Sequence, residues 1–142
     1  MSYTVKTTRN LDDLPEARDI RTRVFIEEQG FVNEFDEIDR TALHLVLFDG
    51  DTAVATGRLF PAETPGAMHI GRVAVLPSHR GRGLGAAVLQ ELEAAARADG
   101  CKTVELSAQT RAAGFYETIG YRQFGEVYLD EYCPHICMKK TL

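Results

Sequence analysis

The stretch Arg72-Val73-Ala74-Val75-Leu76-Pro77-Ser78-His79-Arg80-Gly81-Arg82-Gly83-Leu84-Gly85-Ala86-Ala87-Val88 decides how the rest of the chain is read. An apolar strand pattern ends at Pro77, a basic glycine-rich turn follows, and an alanine-rich helix begins at once. Glycines lack a Cβ, so consecutive backbone N–H groups can converge on one small space. The helix behind them brings four unpaired N–H donors and the positive end of its dipole. Such a place holds an anion, most often a phosphate. Arg80 and Arg82 add charge and forked donors for the same oxygens. The stretch predicts a site for a phosphorylated cofactor.

Two cofactor classes compete for it. Gly81-Arg82-Gly83-Leu84-Gly85-Ala86 fits a relaxed dinucleotide fingerprint, with Glu105 about twenty residues on where a ribose-binding acid would be sought. That fingerprint needs its first glycine directly after the strand, whereas Pro77-Ser78-His79-Arg80 intervenes here. A nucleotide P-loop fits less well, because no Lys-Ser or Lys-Thr follows the glycines.

The alternative spacing, Arg80-x-x-Gly83-x-Gly85 after a Val-Ala-Val strand ending in Pro77, resembles the coenzyme A signature of the GNAT acetyltransferase superfamily. Ala112-Ala113-Gly114-Phe115-Tyr116-Glu117-Thr118-Ile119-Gly120-Tyr121, after Leu106-Ser107-Ala108-Gln109, is similar to a second segment of that family. Val24-Phe25-Ile26-Glu27-Glu28-Gln29, the acidic run Glu34-Phe35-Asp36-Glu37-Ile38-Asp39 and the tail Pro134-His135-Ile136-Cys137-Met138 resemble its YjcF-like and ElaA-like bacterial branch. Cys133 before Pro134 and Gln109 in place of the usual asparagine depart from the pattern.

The resemblance implies an α/β fold, a mixed and mostly antiparallel sheet with helices on both faces, and acetyl-CoA as cosubstrate. It implies that the main chain of Val73, Ala74 and Val75 meets the pantetheine arm and that one N–H there polarises the thioester carbonyl. By the same resemblance Gly81, Arg82, Gly83, Leu84, Gly85 and Ala86, with Arg80, cradle the pyrophosphate. Gln109, Phe115 and Tyr116 then flank the arm. Tyr116 is the candidate general acid, since a phenol with an ordinary pKa of about 10 is protonated at neutral pH. Homodimers are frequent in the family, so a homodimer is an expectation of the same kind.

An ammonium acceptor must lose a proton before it attacks, and three residues are candidates for the base. Glu28 ends the first helix, Glu63 lies near the mouth of the strand before the loop, and His135 carries an imidazole suited to proton transfer. The acidic group Glu34, Asp36, Glu37 and Asp39 is read either as a solvated loop or as an attractor of a cationic amine. Cys133, His135 and Cys137 mimic metal ligands. On a regular strand, though, the two cysteines would sit about 13 Å apart, too far for one ion, so no metal is expected. Cys101, at a helix-to-strand turn, is poorly located for a covalent nucleophile.

Composition agrees with a small enzyme. At 142 residues and 44% hydrophobic, the chain is expected to form a single domain, 1–142. A net charge of −5 argues against nucleic acid as a bulk partner. No apolar run approaches the length of a membrane span, which needs about 20 residues. Three scattered cysteines do not read as a disulfide framework, and a cytoplasmic setting is the default.

The pattern predicts a strand at Tyr3–Thr7 and a helix capped by Asn10 or Asp12 with apolar positions Leu14, Ala17, Ile20, Val24 and Phe25, stopped by Gly30. Strands at Leu43–Phe48 and Ala53–Phe60 flank an Asp49-Gly50-Asp51 hairpin, and another runs from Met68 to Leu76. A helix at Leu84–Ala98, a strand at Thr103–Ala108, a helix at Arg111–Ile119 and strands at Val127–Tyr132 and Ile136–Lys140 complete the order. Three functions are in play: an N-acetyltransferase acting on a small amine or peptide by direct attack, a non-catalytic coenzyme A sensor, and a dinucleotide oxidoreductase.

Overall fold

A computed structural model describes residues 3–142. Seven strands form one sheet: β1 (Tyr3–Thr8), β2 (Leu43–Asp49), β3 (Thr52–Pro61), β4 (Ala67–Val75), β5 (Thr103–Gln109), β6 (Arg122–Asp130) and β7 (Cys133–Thr141), in the order β1-β2-β3-β4-β5-β7-β6. Every neighbouring pair is antiparallel except β4 and β5. The crossover between those two carries α2 (Leu84–Ala98), as a parallel connection requires. No helix among the described residues is long and apolar enough to cross a membrane.

Helices cover both faces. On one, Val88, Leu89, Leu92 and Ala96 of α2 pack with Val54, Leu59, Ile70, Val104, Leu106 and Met138 of the sheet. On the other, Leu14, Ala17, Ile20 and Val24 pack against Val46, Phe48, Ala74 and Leu76. Gly57 lets α2 approach β3, since a Cβ there would lie 2.7 Å from Val88 Cγ1 and 2.9 Å from Leu92 Cδ1. Gly57→Ala is therefore expected to lower stability by about 1–3 kcal/mol through overpacking, measured as a urea-unfolding shift.

The first helix departs from a simple capped helix. Asn10 Oδ1 accepts from the Asp12 N–H and caps only a short turn, Leu11–Asp13. The α-helix proper, α1 (Pro15–Arg21), starts with proline in its first turn, where the missing N–H costs nothing. It then widens into a π-helix, Thr22–Glu28. The wider turn rotates the residues that follow, and π-turns recur at functional sites.

The last two strands also differ from the sequence pattern. β6 begins at Arg122 rather than Val127, because Arg122, Gln123 and Phe124 pair with Lys139, Met138 and Cys137. A bulge then separates Phe124 from Tyr128. β7 begins at Cys133, and Pro134 is accommodated because pairing with β5 starts only at His135.

Candidate active site

The parallel pairing of β4 and β5 runs from Ala67↔Thr103 to Ile70↔Leu106 and stops. On the other side of β4, Arg58 faces Gly71 and Thr56 faces Ala74, so Arg72 and Val73 together oppose Gly57. This is a β-bulge, and Arg72 takes a left-handed φ of 53° to make it. The bulge inverts the facing of the strand: Ile70 points to the α2 side, Ala74 and Leu76 to the α1 side. β4 and β5 part into a cleft of about 300 Å³, lined among others by Phe25, Val73, Ser107, Tyr116 and His135.

The glycine-rich loop stands where β4 ends. Gly81 and Gly83 have φ of 80° and 77°, and a Cβ on either would meet nothing within 4 Å. α2 begins at Leu84 with no side-chain cap, so its first N–H groups face the open loop. A Cβ on Gly85 would touch the Phe115 ring at 3.5 Å. This cradle fits the phosphates of coenzyme A. Arg82 is exposed and has no partner among the described residues. Arg80 is engaged: its Nε donates to the Val75 carbonyl at 2.9 Å and its two terminal nitrogens bond Glu28 at 2.7 Å each. His79 ties the loop to the β2–β3 turn through Asp49.

Tyr116 of α3 (Ala113–Thr118) stands edge-on to Phe115 and Tyr121, with ring centroids 5.1 and 6.0 Å away. Its hydroxyl has no hydrogen-bond partner among the described residues. Burial pushes its pKa up to about 12, so it stays a neutral donor. Gln109 donates to Gln29 Oε1 at 2.8 Å and accepts from Arg111. His135 is buried, and its Nδ1 lies 2.9 Å from the Cys133 carbonyl. A carbonyl only accepts, so Nδ1 carries the hydrogen and Nε2 is the lone-pair nitrogen of the neutral ring.

The other two base candidates lie elsewhere. Glu28 is turned to the phosphate loop, where the Arg80 guanidinium hydrogen-bonded to it holds its carboxyl below the usual range. Glu63 is exposed in the turn between β3 and β4, at the end of β4 opposite the phosphate loop. Glu105, the acid of the dinucleotide pattern, sits in mid-β5 opposite Lys139.

The acidic run is corrected most. Glu34 and Asp39 are buried rather than solvated. Arg21, itself 1% exposed, bonds Glu34 at 2.9 Å and Asp39 at 2.7 Å. Arg58 bonds Asp36 at 2.7 Å and Asp39 at 2.8 Å, and Arg72 lies 3.0 Å from Glu34. Three guanidinium groups thus neutralise three carboxylates, and only Glu37 of the group remains exposed without a partner. Glu34 and Arg72 of this network line the cleft, and its buried carboxylates meet arginines rather than solvent. Arg58, Arg72, Gln29 and Ser107 were not singled out from the sequence. The available signal was a lone arginine inside each of two apolar patterns, Arg58 in β3 and Arg21 on the α1 stripe.

The β6–β7 turn and the residues after the π-helix line the cleft together. Glu131, at φ 55° in the β6–β7 turn, accepts from the Val32 and Asn33 N–H groups at 3.0 Å each. Tyr132 donates to the Gln29 carbonyl and stacks on Phe31 at 5.4 Å.

A sheet that opens between parallel β4 and β5 over a glycine-rich helix start defines an acyl-CoA N-acyltransferase fold. The chain belongs to the acetyltransferase (GNAT) family, whose model matches residues 11–121, and it is an acyltransferase of that class. It is 36% identical over 135 residues, 93% of this chain and 95% of the relative, to the uncharacterized N-acetyltransferase YjcF of Bacillus subtilis. An acyl-CoA N-acyltransferase from Pseudomonas aeruginosa superposes with a TM-score of 0.84 at 31% identity, over 98% of this chain and 99% of that one. Escherichia coli ElaA superposes with a TM-score of 0.86 at 25% identity, again over 98% and 99%. The family uses acetyl-CoA or another acyl-CoA as cosubstrate, which sets aside the dinucleotide reading.

Proposed function

We propose that the protein moves the acetyl group of acetyl-CoA to a primary amine by direct attack, with Tyr116 as general acid and His135 as base. The observation that carries this reading is the cleft itself: a bulged strand on one wall, an unpaired phenol on the other, and an open helix start at its mouth.

Acetyl-CoA supplies the acetyl group as a thioester. Val73, without a register partner across the bulge, offers its main chain to the thioester carbonyl. His135 Nε2 takes the proton that an ammonium must lose before its nitrogen bonds the acetyl carbon. Tyr116 donates to the sulfur as the C–S bond breaks and its electron pair leaves with sulfur. Over the whole reaction the ammonium gives up two protons: one ends on the thiol and the other reaches solvent. Cys101 packs against the core at the turn between α2 and β5, outside the cleft, which favours direct transfer over an acyl-enzyme.

Gly83→Ala tests the cradle. The substitution strains a left-handed residue by about 1–2 kcal/mol and puts a methyl where the loop must approach phosphate. Calorimetric titration is expected to show the acetyl-CoA Kd rising at least about tenfold. Binding of NAD with no response to acetyl-CoA, in the unaltered protein, would overturn the reading.

A further inference from the structure

Arg58 is 3% exposed, and its Nε is a buried polar atom without a hydrogen-bond partner among the described residues. Its terminal nitrogens are committed to Asp36 and Asp39, so the orphan is one specific N–H in an otherwise paired group. A buried donor is costly to leave unpaired, so this N–H has an acceptor to meet.

Its surroundings identify where. Arg58 and Gly71 are register partners on β3 and β4, and Gly71 lines the cleft. A Cβ on Gly71 would lie 3.7 Å from Arg58 Nε, 3.9 Å from His69 Cδ2 and 3.9 Å from Phe60 Cε1. The missing side chain therefore opens a niche of about methyl size between the cleft and that N–H. Ser107, hydrogen-bonded to Tyr128, lines the same cleft from β5. Arg72 adds a second guanidinium nearby, about one quarter exposed. The imidazole of His69 beside the niche is neutral at physiological pH: burial, with the charges of Arg58 and Arg72, pushes its pKa down to about 4. Across the cleft the lining carries the carboxylates of Asp130 and Glu131 and the guanidinium of Arg111. There Asp130, with no hydrogen bond or ion pair among the described residues, sits beside Glu131 at the turn into β7 and lines the same cleft as His135.

We propose that the acceptor is a small amine that also bears a carboxylate, received in the niche over Gly71 by Arg58 Nε–H, with the amine toward His135 and Asp130. The inference rests on the acetyltransfer reading and names the substrate class for it. A hydrogen bond between charged partners contributes about 1.5–3 kcal/mol, which is about a 10- to 150-fold preference.

The test uses matched pairs that differ only in the carboxylate: phenylalanine and phenethylamine, lysine and cadaverine, alanine and ethylamine. In the unaltered protein, kcat/KM is expected to favour the acid-bearing member by about 10-fold or more. Gly71→Ala, whose φ is not left-handed and whose Cβ has ordinary contacts, keeps the fold and fills the niche. It is expected to bring the ratio to within about threefold by raising KM for the acid-bearing member, with the acetyl-CoA Kd unchanged. A proton–nitrogen NMR signal from Arg58 Nε gives a second readout that needs no turnover. It should move on adding the acid-bearing member, stay still with its partner, and stay still with both in Gly71→Ala. Equal kcat/KM within pairs, or a signal that no carboxylate moves, overturns the inference and leaves water as what Arg58 meets. A signal that moves in a protein that acetylates none of the six compounds upholds the carboxylate site and sinks the acetyltransfer reading.

Discussion

Tyr116→Phe is expected to lower kcat by about 100- to 1,000-fold while leaving the acetyl-CoA Kd and the unfolding midpoint close to those of the unaltered protein. The size follows from what the hydroxyl does. Its ring is wedged edge-on between Phe115 and Tyr121, and Tyr121 is itself anchored by a 2.8 Å bond to Glu93. The phenol is held in place by packing, yet its oxygen engages no group among the described residues. Phenylalanine keeps the packing and removes only the donor. Burial holds Tyr116 near 12, so the phenol remains protonated and contributes no alkaline decline in kcat below about pH 11. A variant within about threefold of the parent, or a parent whose alkaline limb vanishes on Tyr116→Phe at lower pH, would remove Tyr116 from the proton-donor role.

The glycine-rich turn and the elements beside it were legible because they are local. Strand end, glycine turn and helix start lie within residues 72–88, and each element is specified by its own residues: Pro77, the left-handed Gly81 and Gly83, and the alanine-rich α2. The opposite wall of the cleft is assembled from far apart. Arg58 meets Asp36 and Asp39 across 22 and 19 residues, and Glu131 reaches Val32 across 99. No periodicity encodes such pairings. The π-helix after α1 compounds this, because it rotates Glu28 to the phosphate loop and Gln29 to Gln109, whereas a regular helix was the expectation. β6 was read short for another reason. From Arg122 to Glu126 its residues are exposed or half-exposed, so there is no buried face to give an alternating pattern. Arg21 did leave a trace: it follows Ala17 by four positions on a buried stripe, where a charge requires a buried partner.

That buried partnership leads to the largest expected loss of stability. Arg21→Met keeps much of the side-chain volume but leaves Glu34 without its 2.9 Å partner and Asp39 without its 2.7 Å partner. Breaking a buried ion pair from one side costs about 3–5 kcal/mol when the remaining charge is left unpaired, and Arg58 at 2.8 Å from Asp39 and Arg72 at 3.0 Å from Glu34 keep the loss at the lower end, about 3 kcal/mol. For a chain of this size the unfolding midpoint should fall by about 10 °C or more. The pH dependence separates charge from packing. Burial opposes ionisation of Asp39, but the hydrogen bond and charge of Arg21, with Arg58, hold its pKa at about 2 instead of 3.8. A carboxyl lowered by folding stabilises the fold above its unfolded value, and that contribution disappears as pH falls toward about 2. Glu34 works in the opposite sense. Burial outweighs its arginine neighbours and raises it above 4.5, so its contribution is present below that value and is lost as pH rises through the folded pKa. The parent therefore surrenders the Asp39 contribution between about pH 4 and 2, whereas Arg21→Met has already lost most of it. Urea unfolding at pH 7 and pH 3 should show the gap between the two proteins narrowing at the lower pH. A gap of the same size at both values would mean that Arg21 stabilises the fold by filling space rather than by neutralising Asp39 and Glu34.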